Sequence, residues 1–200
     1  MALVMGGRPD EVDAPVTLLT SAERERAARF RHEADRHAFV AAHLLVRLCA
    51  AELLGVAPHR LTLAQVCHVH GPGHGRPYLE EAPAVGVSLS HTRGYVCAAA
   101  GHGRVGVDAE RVPPGPLDRM LAGMALTPRE RKDAGGNEDL IRVWARKEAL
   151  IKRGELTLDE LSARDGDWAG SSICWSGGRS RTSWWPPSPT PPARRAAIPG

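Results

Sequence analysis

Two acidic residues separated by one position, Asp108 and Glu110, end the apolar segment 105–110. Its β-branched valines and its glycine predict a strand, on which successive side chains point to opposite faces. The two carboxylates would then share one face and repel each other unless a divalent cation lies between them, and hard oxygen ligands suit Mg²⁺. The alternative is a strand end that carries two acids into solvent, because an Asp-x-Glu spacing alone is a weak pattern.

A strongly helical segment at residues 144–152 carries a second group of polar side chains. Trp144, Glu148 and Lys152 recur at every fourth position, which places them along one stripe of a helix. If this stripe faces the acid pair, three carboxylates and a lysine form a site for a metal-bound phosphate. The alternative is a surface helix with a Glu–Lys pair worth a few tenths of a kcal/mol.

The length of 200 residues suits one domain or two small halves that share a core. No apolar run approaches the length needed to span a bilayer, and residues 1–10 do not resemble a secretory signal. Four cysteines lie far apart without a Cys-x-x-Cys motif, which favours reduced thiols in a cytoplasmic protein: Cys49, Cys67, Cys97 and Cys174.

The net charge of +3 comes from the end of the chain. Residues 169–200 contain four arginines and no acid, and without them 22 basic residues face 23 acidic ones. The body is therefore near −1, and its charge does not predict a nucleic-acid surface.

Helix signals define the first third of the chain. Thr20 predicts the start of a helix through Arg29, and Asp35 predicts the start of a longer one that Gly55 ends. Apolar residues of the longer helix recur at three- and four-residue steps and should form its buried face: Phe39, Ala42, Val46, Cys49 and Leu53. Six arginines in this region form either a solvated face or a receiver of anionic groups: Arg24, Arg26, Arg29, Arg31, Arg36 and Arg47.

The next part of the chain alternates strands and loops. A short strand is predicted within residues 58–69, and a loop rich in glycine and proline over 71–78. Apolar strands at 85–89 and 95–100 flank a tight connection, whose hydroxyl, imidazole and guanidinium groups suit either phosphate oxygens or turn capping. A zinc site is an alternative for four residues near the loop, but one thiol and this spacing fit no standard zinc pattern: Cys67, His68, His70 and His74.

Three further helices are predicted before the composition changes. The first covers residues 117–126, Thr127 and Glu130 mark the start of the second, and Asn137 caps the helix that carries Trp144. Over residues 169–200, Gly, Ser, Pro, Arg and Trp dominate without periodicity, and we expect disorder there. A shifted reading frame near Trp168 would explain the change.

These segments, in this order, resemble the Sfp-type 4′-phosphopantetheinyl transferases, over about residues 20–154. Each motif is modest, and the joint order and spacing are specific. The matching pieces are Arg29-Phe30 with Asp35 through Arg47, Gly75-Arg76-Pro77, Val87-Ser-Leu-Ser90-His91, Val105-Gly-Val-Asp108-Ala-Glu110, Leu126-Thr-Pro-Arg-Glu130 and Trp144-Ala-Arg-Lys147-Glu148-Ala-Leu-Ile-Lys152.

The resemblance implies an α+β fold made of a pseudo-twofold pair of similar halves, each with a small antiparallel sheet and a long helix. The halves would be residues 1–100 and 101–168, followed by the tail 169–200. It also implies a cytoplasmic, monomeric, Mg²⁺-dependent enzyme of the holo-acyl-carrier-protein synthase type. Such an enzyme moves 4′-phosphopantetheine from coenzyme A to a serine of an apo acyl or peptidyl carrier protein and releases 3′,5′-ADP.

The carrier proteins of fatty-acid, polyketide and nonribosomal-peptide synthesis are the implied substrates, and neither nucleic acid nor membrane is an expected partner. By the same resemblance, Asp108, Glu110 and Glu148 would hold Mg²⁺ on the pyrophosphate. Glu148 would take the proton of the carrier serine and Lys152 would stabilise the departing oxygen, so that these two and Asp108 are the predicted catalytic residues. The predicted contacts to coenzyme A are Arg26, Arg76, Ser90, His91 and Lys152, and Glu130 is a further acid near the metal.

One departure from the family leaves a second hypothesis. The helix at 144–152 is normally followed by several strands that complete the second half, and residues 156–200 do not show their pattern. The chain could then be a truncated or frame-shifted relative that binds coenzyme A or carrier protein without turnover. A nucleic-acid binder that uses the basic tail is a third hypothesis, which rests on the four arginines of residues 169–200 alone.

Overall fold

The computed structural model describes residues 2–67 and 71–166, which form one antiparallel sheet covered by helices. The α+β class expected from the sequence is therefore confirmed. The elements in order are β1 (Ala2–Gly7), α1 (Ser21–Ala28), α2 (Glu33–Leu54), β2 (Leu63–Cys67), β3 (Gly71–Leu79), β4 (Val85–Thr92), β5 (Tyr95–His102), α3 (Arg119–Ala125), α4 (Pro128–Asp133) and α5 (Asn137–Arg153).

The sheet has the strand order β1-β5-β4-β3-β2. The hairpin of β4 and β5 at its centre pairs from Val85↔His102 to Thr92↔Tyr95, as the two apolar runs predicted. Strand β1 pairs with β5 and was not predicted. All five strands precede residue 103, so the part of the chain described here shows one sheet. The pseudo-twofold pair of halves and the division at residue 100 stay predictions, and the tail 169–200 lies outside the described residues.

Helix α2 packs its apolar face on the sheet and forms the main core. Phe39, Ala42, Val46 and Cys49 are at most 1 % exposed, as their spacing predicted, whereas Leu53 is half-buried. Contrary to the sequence-based expectation, this helix is long and apolar enough to cross a bilayer by length and composition. However, 67 % of its most apolar stretch is buried inside the protein, as in a core helix.

Buried polar contacts anchor α1 to α2. Glu23 of α1 accepts two hydrogen bonds from the Arg47 guanidinium, at 3.0 and 2.6 Å, and its Oε1 lies 2.7 Å from His43 Nδ1. All three side chains are buried. Arg47 therefore does not belong to the surface arginines with which the sequence grouped it, because its charge is matched by the Glu23 carboxylate inside the fold.

Two helix starts follow the sequence signals closely. Thr20 and Thr127 form capping boxes with the glutamates three residues later, which begins α1 and α4 as predicted. Two predicted caps are wrong. Helix α2 begins after His32, while Asp35 pairs with Arg93 instead. Helix α5 begins after Gly136, because the Asn137 side chain binds the connector before α3.

The predicted loop at residues 71–78 is instead strand β3. Its pairing with β2 shifts register between Gln65 and Val66, and Gly71 and Gly75 adopt positive φ. A bulge and left-handed glycines let a sequence rich in Gly and Pro continue a ladder at the sheet edge. The zinc alternative falls on His68 and His70 and on the side chains of Cys67 and His74, which lie outside the described residues.

Candidate active site

Residues 105–110 lie between strand β5 and helices α3–α5 in the chain, and they pass between β4 and α5. The Ser88 Oγ of β4 accepts a hydrogen bond of 3.1 Å from the Val107 N–H. On the opposite side, a Cβ added to Gly106 would lie 2.0 Å from the carbonyl oxygen of Ala149 in α5. The predicted strand is therefore wrong in the described structure: a side-chain hydroxyl takes the Val107 N–H that a neighbouring strand would bind.

Asp108 lies at the centre of the polar contacts and is only 4 % exposed. Its Oδ1 accepts hydrogen bonds from Ser90 Oγ at 2.9 Å and from Lys152 Nζ at 2.6 Å. Its Oδ2 is buried and has no hydrogen-bond partner among the described residues. One oxygen of this carboxylate is thus fully used, while the other remains available to a ligand.

Glu110 and Glu148 flank Asp108 and are half-buried. The Trp144 indole N–H donates to Glu110 Oε1 at 3.1 Å. Burial, followed by repulsion from Asp108, raises the pKa of each glutamate, and Glu110 also repels Glu148. The helical stripe of Trp144, Glu148 and Lys152 therefore faces the acid pair, as its spacing predicted.

His91 lies at the end of β4 among aromatic and cationic side chains. Its ring meets Phe39 edge-on, with centroids 6.0 Å apart, and the Arg26 guanidinium lies 5.3 Å from the Phe39 ring centre. Burial, and then repulsion by His43, Lys152 and Arg26, lowers the pKa of His91. Arg26 of α1 and Lys152 of α5 thus act on one region, an arrangement that favours an anionic ligand.

The sequence of this chain is similar to that of known proteins that share one activity in their names. Residues 8–103 match the family model described as "4′-phosphopantetheinyl transferase, N-terminal". A 4′-phosphopantetheinyl transferase of Bacillus subtilis is 26 % identical over 164 residues, which cover 77 % of this chain and 70 % of the relative. These matches support the assignment of the chain to the 4′-phosphopantetheinyl transferase family.

Two more relatives extend the match beyond the family model. The 4′-phosphopantetheinyl transferase Sfp of Bacillus subtilis (strain 168) is 23 % identical, over 78 % of this chain and 70 % of its own length. A phosphopantetheinyl transferase of Thraustochytrium sp. (strain ATCC 26185 / S-3) is 31 % identical, over 72 % of this chain and 59 % of its own length. The resemblance deduced from the motifs is confirmed, and the general activity is that of a transferase.

The acidic residues determine whether this site can hold a divalent metal ion. Among the residues that the structure describes, no three His, Cys, Asp or Glu side chains converge as a ready metal group. The donor chemistry nevertheless fits: Asp108 has an unpartnered buried oxygen, and burial together with the neighbouring negative charge of Asp108 raises the pKa values of Glu110 and Glu148. A hard divalent cation would supply a partner for Asp108 Oδ2 and would offset the repulsion between Asp108 and the two glutamates.

Arg76 connects β3 to the end of α5, where its guanidinium donates to the Lys152 carbonyl oxygen. It lines a cavity of about 280 Å³ together with Gln65, Ser88, Ile151 and Lys152. Because Lys152 both lines this cavity and binds Asp108, the cavity lies next to the site of Asp108, Glu110 and Glu148. Four of the residues that the resemblance implied as contacts to coenzyme A lie on β3, β4 and the end of α5: Arg76, Ser90, His91 and Lys152.

Glu130, considered as a further acid near the metal, has structural contacts. It caps α4 at Thr127 and accepts a hydrogen bond of 2.5 Å from the fully buried Lys147 Nζ, which also donates to the carbonyls of Ala125 and Leu161. Arg93, which carries the guanidinium of the connection between β4 and β5, makes a two-pronged ion pair with Asp35 of α2. Charge signs alone did not reveal these pairings, because the partners are 17 and 58 residues apart.

Proposed function

We propose that this chain transfers 4′-phosphopantetheine from coenzyme A to a serine of an apo acyl or peptidyl carrier protein and releases 3′,5′-ADP. The observation that carries the proposal is the Asp108 carboxylate, which Ser90 and Lys152 orient through one oxygen while the other is buried without a described partner. An acid oriented in this way, beside two more carboxylates and a lysine, suits a metal-assisted reaction of a pyrophosphate.

Asp108, Glu110 and Glu148 would hold Mg²⁺. When bound, the cation supplies neutralisation of the pyrophosphate charge during transfer. Trp144 supports this ligand set by orienting the Glu110 carboxylate with its indole N–H. Asp108 and Glu148 belong to separate segments, so their use as a pair depends on the packing of residues 105–110 against α5.

The transfer forms a bond between the carrier serine oxygen and the β-phosphorus of coenzyme A. The bond from that phosphorus to the bridging oxygen breaks, and its electron pair leaves with 3′,5′-ADP. Glu148 takes the serine proton, directly or through water. The Lys152 ammonium stabilises the charge that develops on the departing oxygen.

Coenzyme A would be bound by the cationic and hydroxyl groups around this centre. Arg26 and His91 face the aromatic cluster of α2, Arg76 lies beside the cavity, and Ser90 connects both regions to Asp108. A phosphorylated nucleotide carries enough negative charge to engage several of these groups at once. We further propose that the protein acts in the cytoplasm as a monomer and that it serves fatty-acid, polyketide or nonribosomal-peptide carriers.

The release of 3′,5′-ADP tests the proposal. The full chain is incubated with coenzyme A, Mg²⁺ and an apo carrier protein, and the nucleotide is quantified by chromatography. We expect release that requires the carrier and stops when its acceptor serine is replaced by alanine. A folded chain whose melting temperature rises with coenzyme A, but which releases no nucleotide, would favour the relative that binds without turnover.

A further inference from the structure

Two serines of β4 hold consecutive residues of the segment 105–110. Ser88 and Ser90 are two positions apart on the strand and so project from the same face. The Ser88 Oγ accepts a hydrogen bond from the Val107 N–H, while the Ser90 Oγ donates to the Asp108 carboxylate. Ser90 thus acts on the functional side chain directly, and Ser88 acts on the backbone one residue before it.

Among the described residues, this segment lacks backbone hydrogen bonds, while its buried Val107 and Ala109 side chains pack against Cys97 and Ala99 of β5. Residues 104–110 make no backbone–backbone hydrogen bond to another residue in the described ranges. On the far side, the missing Cβ of Gly106 lets the Ala149 carbonyl of α5 approach closely. Ala149 follows Glu148 directly, so the same short stretch that touches α5 also sets how far Asp108 lies from Glu148. The position of Asp108 therefore depends on the hydrogen bond from the Val107 N–H to Ser88 and on the close contact between Gly106 and α5.

We propose that Ser88 is a positioning residue of the transferase site, whose hydroxyl fixes the Val107 amide and thereby holds Asp108 at the spacing from Glu148 and Lys152 that metal binding needs. This inference rests on the proposed function, because it gives Ser88 an effect on a metal-dependent step. Ser88 is 4 % exposed, so water does not readily replace its hydroxyl at the Val107 N–H. A backbone N–H left unpaired in the interior would turn toward another acceptor and would carry Asp108 with it.

The test compares Ser88→Ala, Ser88→Thr and Ser88→Cys in the full chain. Val46→Ala, in the core between α2 and the sheet, is the control for lost stability without contact to the segment. Three quantities are measured: Mn²⁺ affinity by calorimetry without coenzyme A, hydrogen exchange of the Val107 amide, and kcat and KM for coenzyme A. Mn²⁺ serves as a probe of the Mg²⁺ site.

Ser88→Ala is expected to weaken Mn²⁺ binding by about tenfold, as for other residues that orient a metal ligand, and to lower kcat similarly. Exchange of the Val107 amide should accelerate, while KM for coenzyme A changes by less than about twofold. Ser88→Thr should restore Mn²⁺ affinity, because it keeps the hydroxyl and suits a strand. Val46→Ala should keep the Mn²⁺ affinity of the wild type.

The positioning role is overturned if Ser88→Ala has the same Mn²⁺ affinity and kcat as Val46→Ala. It is also overturned if Ser88→Ala and Ser88→Thr both fold and lose Mn²⁺ affinity equally. If Ser88→Ala does not fold, Ser88→Cys decides, since sulfur is a weaker acceptor in a side chain of the same shape: unchanged affinity contradicts the role, and a partial loss supports it. If Mn²⁺ affinity depends on Ser88 as expected but the wild-type chain transfers no phosphopantetheine, the proposed function alone is refuted.

Discussion

Replacing Glu23 by glutamine should destabilise the protein far more than its place on a short surface helix suggests. The carboxylate accepts hydrogen bonds from the Thr20 N–H and from both terminal nitrogens of Arg47, and it contacts His43. Arg47 has no measurable exposure. The substitution therefore leaves a buried guanidinium without its counter-charge and loosens α1, the helix that carries Arg26.

The size of the effect follows from the titration of Glu23. Its hydrogen bonds to His43 and Arg47 outweigh the opposing effect of burial and lower its pKa from 4.5 to about 2. A difference of this size between the unfolded and folded states corresponds to about 3 kcal/mol. Removing one partner of a buried ion pair typically costs about 3–5 kcal/mol, which agrees. Near neutral pH the melting temperature of Glu23→Gln should fall by roughly 6–12 °C.

The sign of the pH dependence is fixed by the direction of the shift. The contribution of Glu23 is complete above its unfolded pKa and is lost as the pH falls through the folded pKa, so more than half should be gone by about pH 3. Burial lowers the pKa of His43, so this histidine makes the fold weaker in acid in both proteins, and its contact with Glu23 opposes that shift in the wild type alone. The quantity to follow is therefore the difference between wild type and Glu23→Gln.

Urea unfolding monitored by circular dichroism between pH 7 and pH 3 gives this difference. Glu25→Gln, an exposed glutamate on the same helix, is the matched control and should change the free energy of unfolding by less than about 0.5 kcal/mol. A loss below about 1 kcal/mol for Glu23→Gln at pH 7, or a difference that does not shrink on acidification, would refute the reasoning.

Three further substitutions test the site and its support. Asp108→Ala should abolish nearly all 3′,5′-ADP release at any Mg²⁺ concentration while the melt stays cooperative, and near-normal release would contradict its role as a ligand. Lys152→Ala should lower kcat by about a hundredfold with a much smaller change in the Kd for coenzyme A, measured by calorimetry; a loss confined to Kd would argue for binding alone. Lys147→Ala should cost about 3 kcal/mol or more in urea unfolding, because Glu130 and two carbonyls lose a buried donor. Lys132→Ala, on exposed α4, should cost almost nothing, and equal losses in both variants would refute the difference.

The polar stripe of α5 could be predicted because helical periodicity is a local property. Trp144 and Lys152 are two helical turns apart, and each contacts one acid of the segment 105–110. Likewise, the capping box at Thr127 and Glu130 is a signal within four residues, and the structure reproduces it. The sequence reports such features well because the physical interaction and the pattern have the same short range.

The predictions from the sequence are wrong where contacts between residues distant in the chain determine the local structure. Arg47 resembles its neighbouring arginines in sequence, but Glu23, 24 residues away, draws it into the core. Residues 105–110 have strand composition, yet Ser88 and Ala149 replace a ladder with one side-chain hydrogen bond and a close backbone contact. Strand β3 shows the reverse case, since bulged pairing with β2 overrides its Gly and Pro content.

The intact mass of an apo carrier protein after incubation with this chain, coenzyme A and Mg²⁺ tests the central claim most directly. We expect the mass to increase by one phosphopantetheine group, and we expect no increase when a chelator is added or when Asp108→Ala replaces the wild type. An unchanged carrier mass with a folded wild-type preparation, under conditions in which another phosphopantetheinyl transferase modifies the same carrier, would contradict the claim.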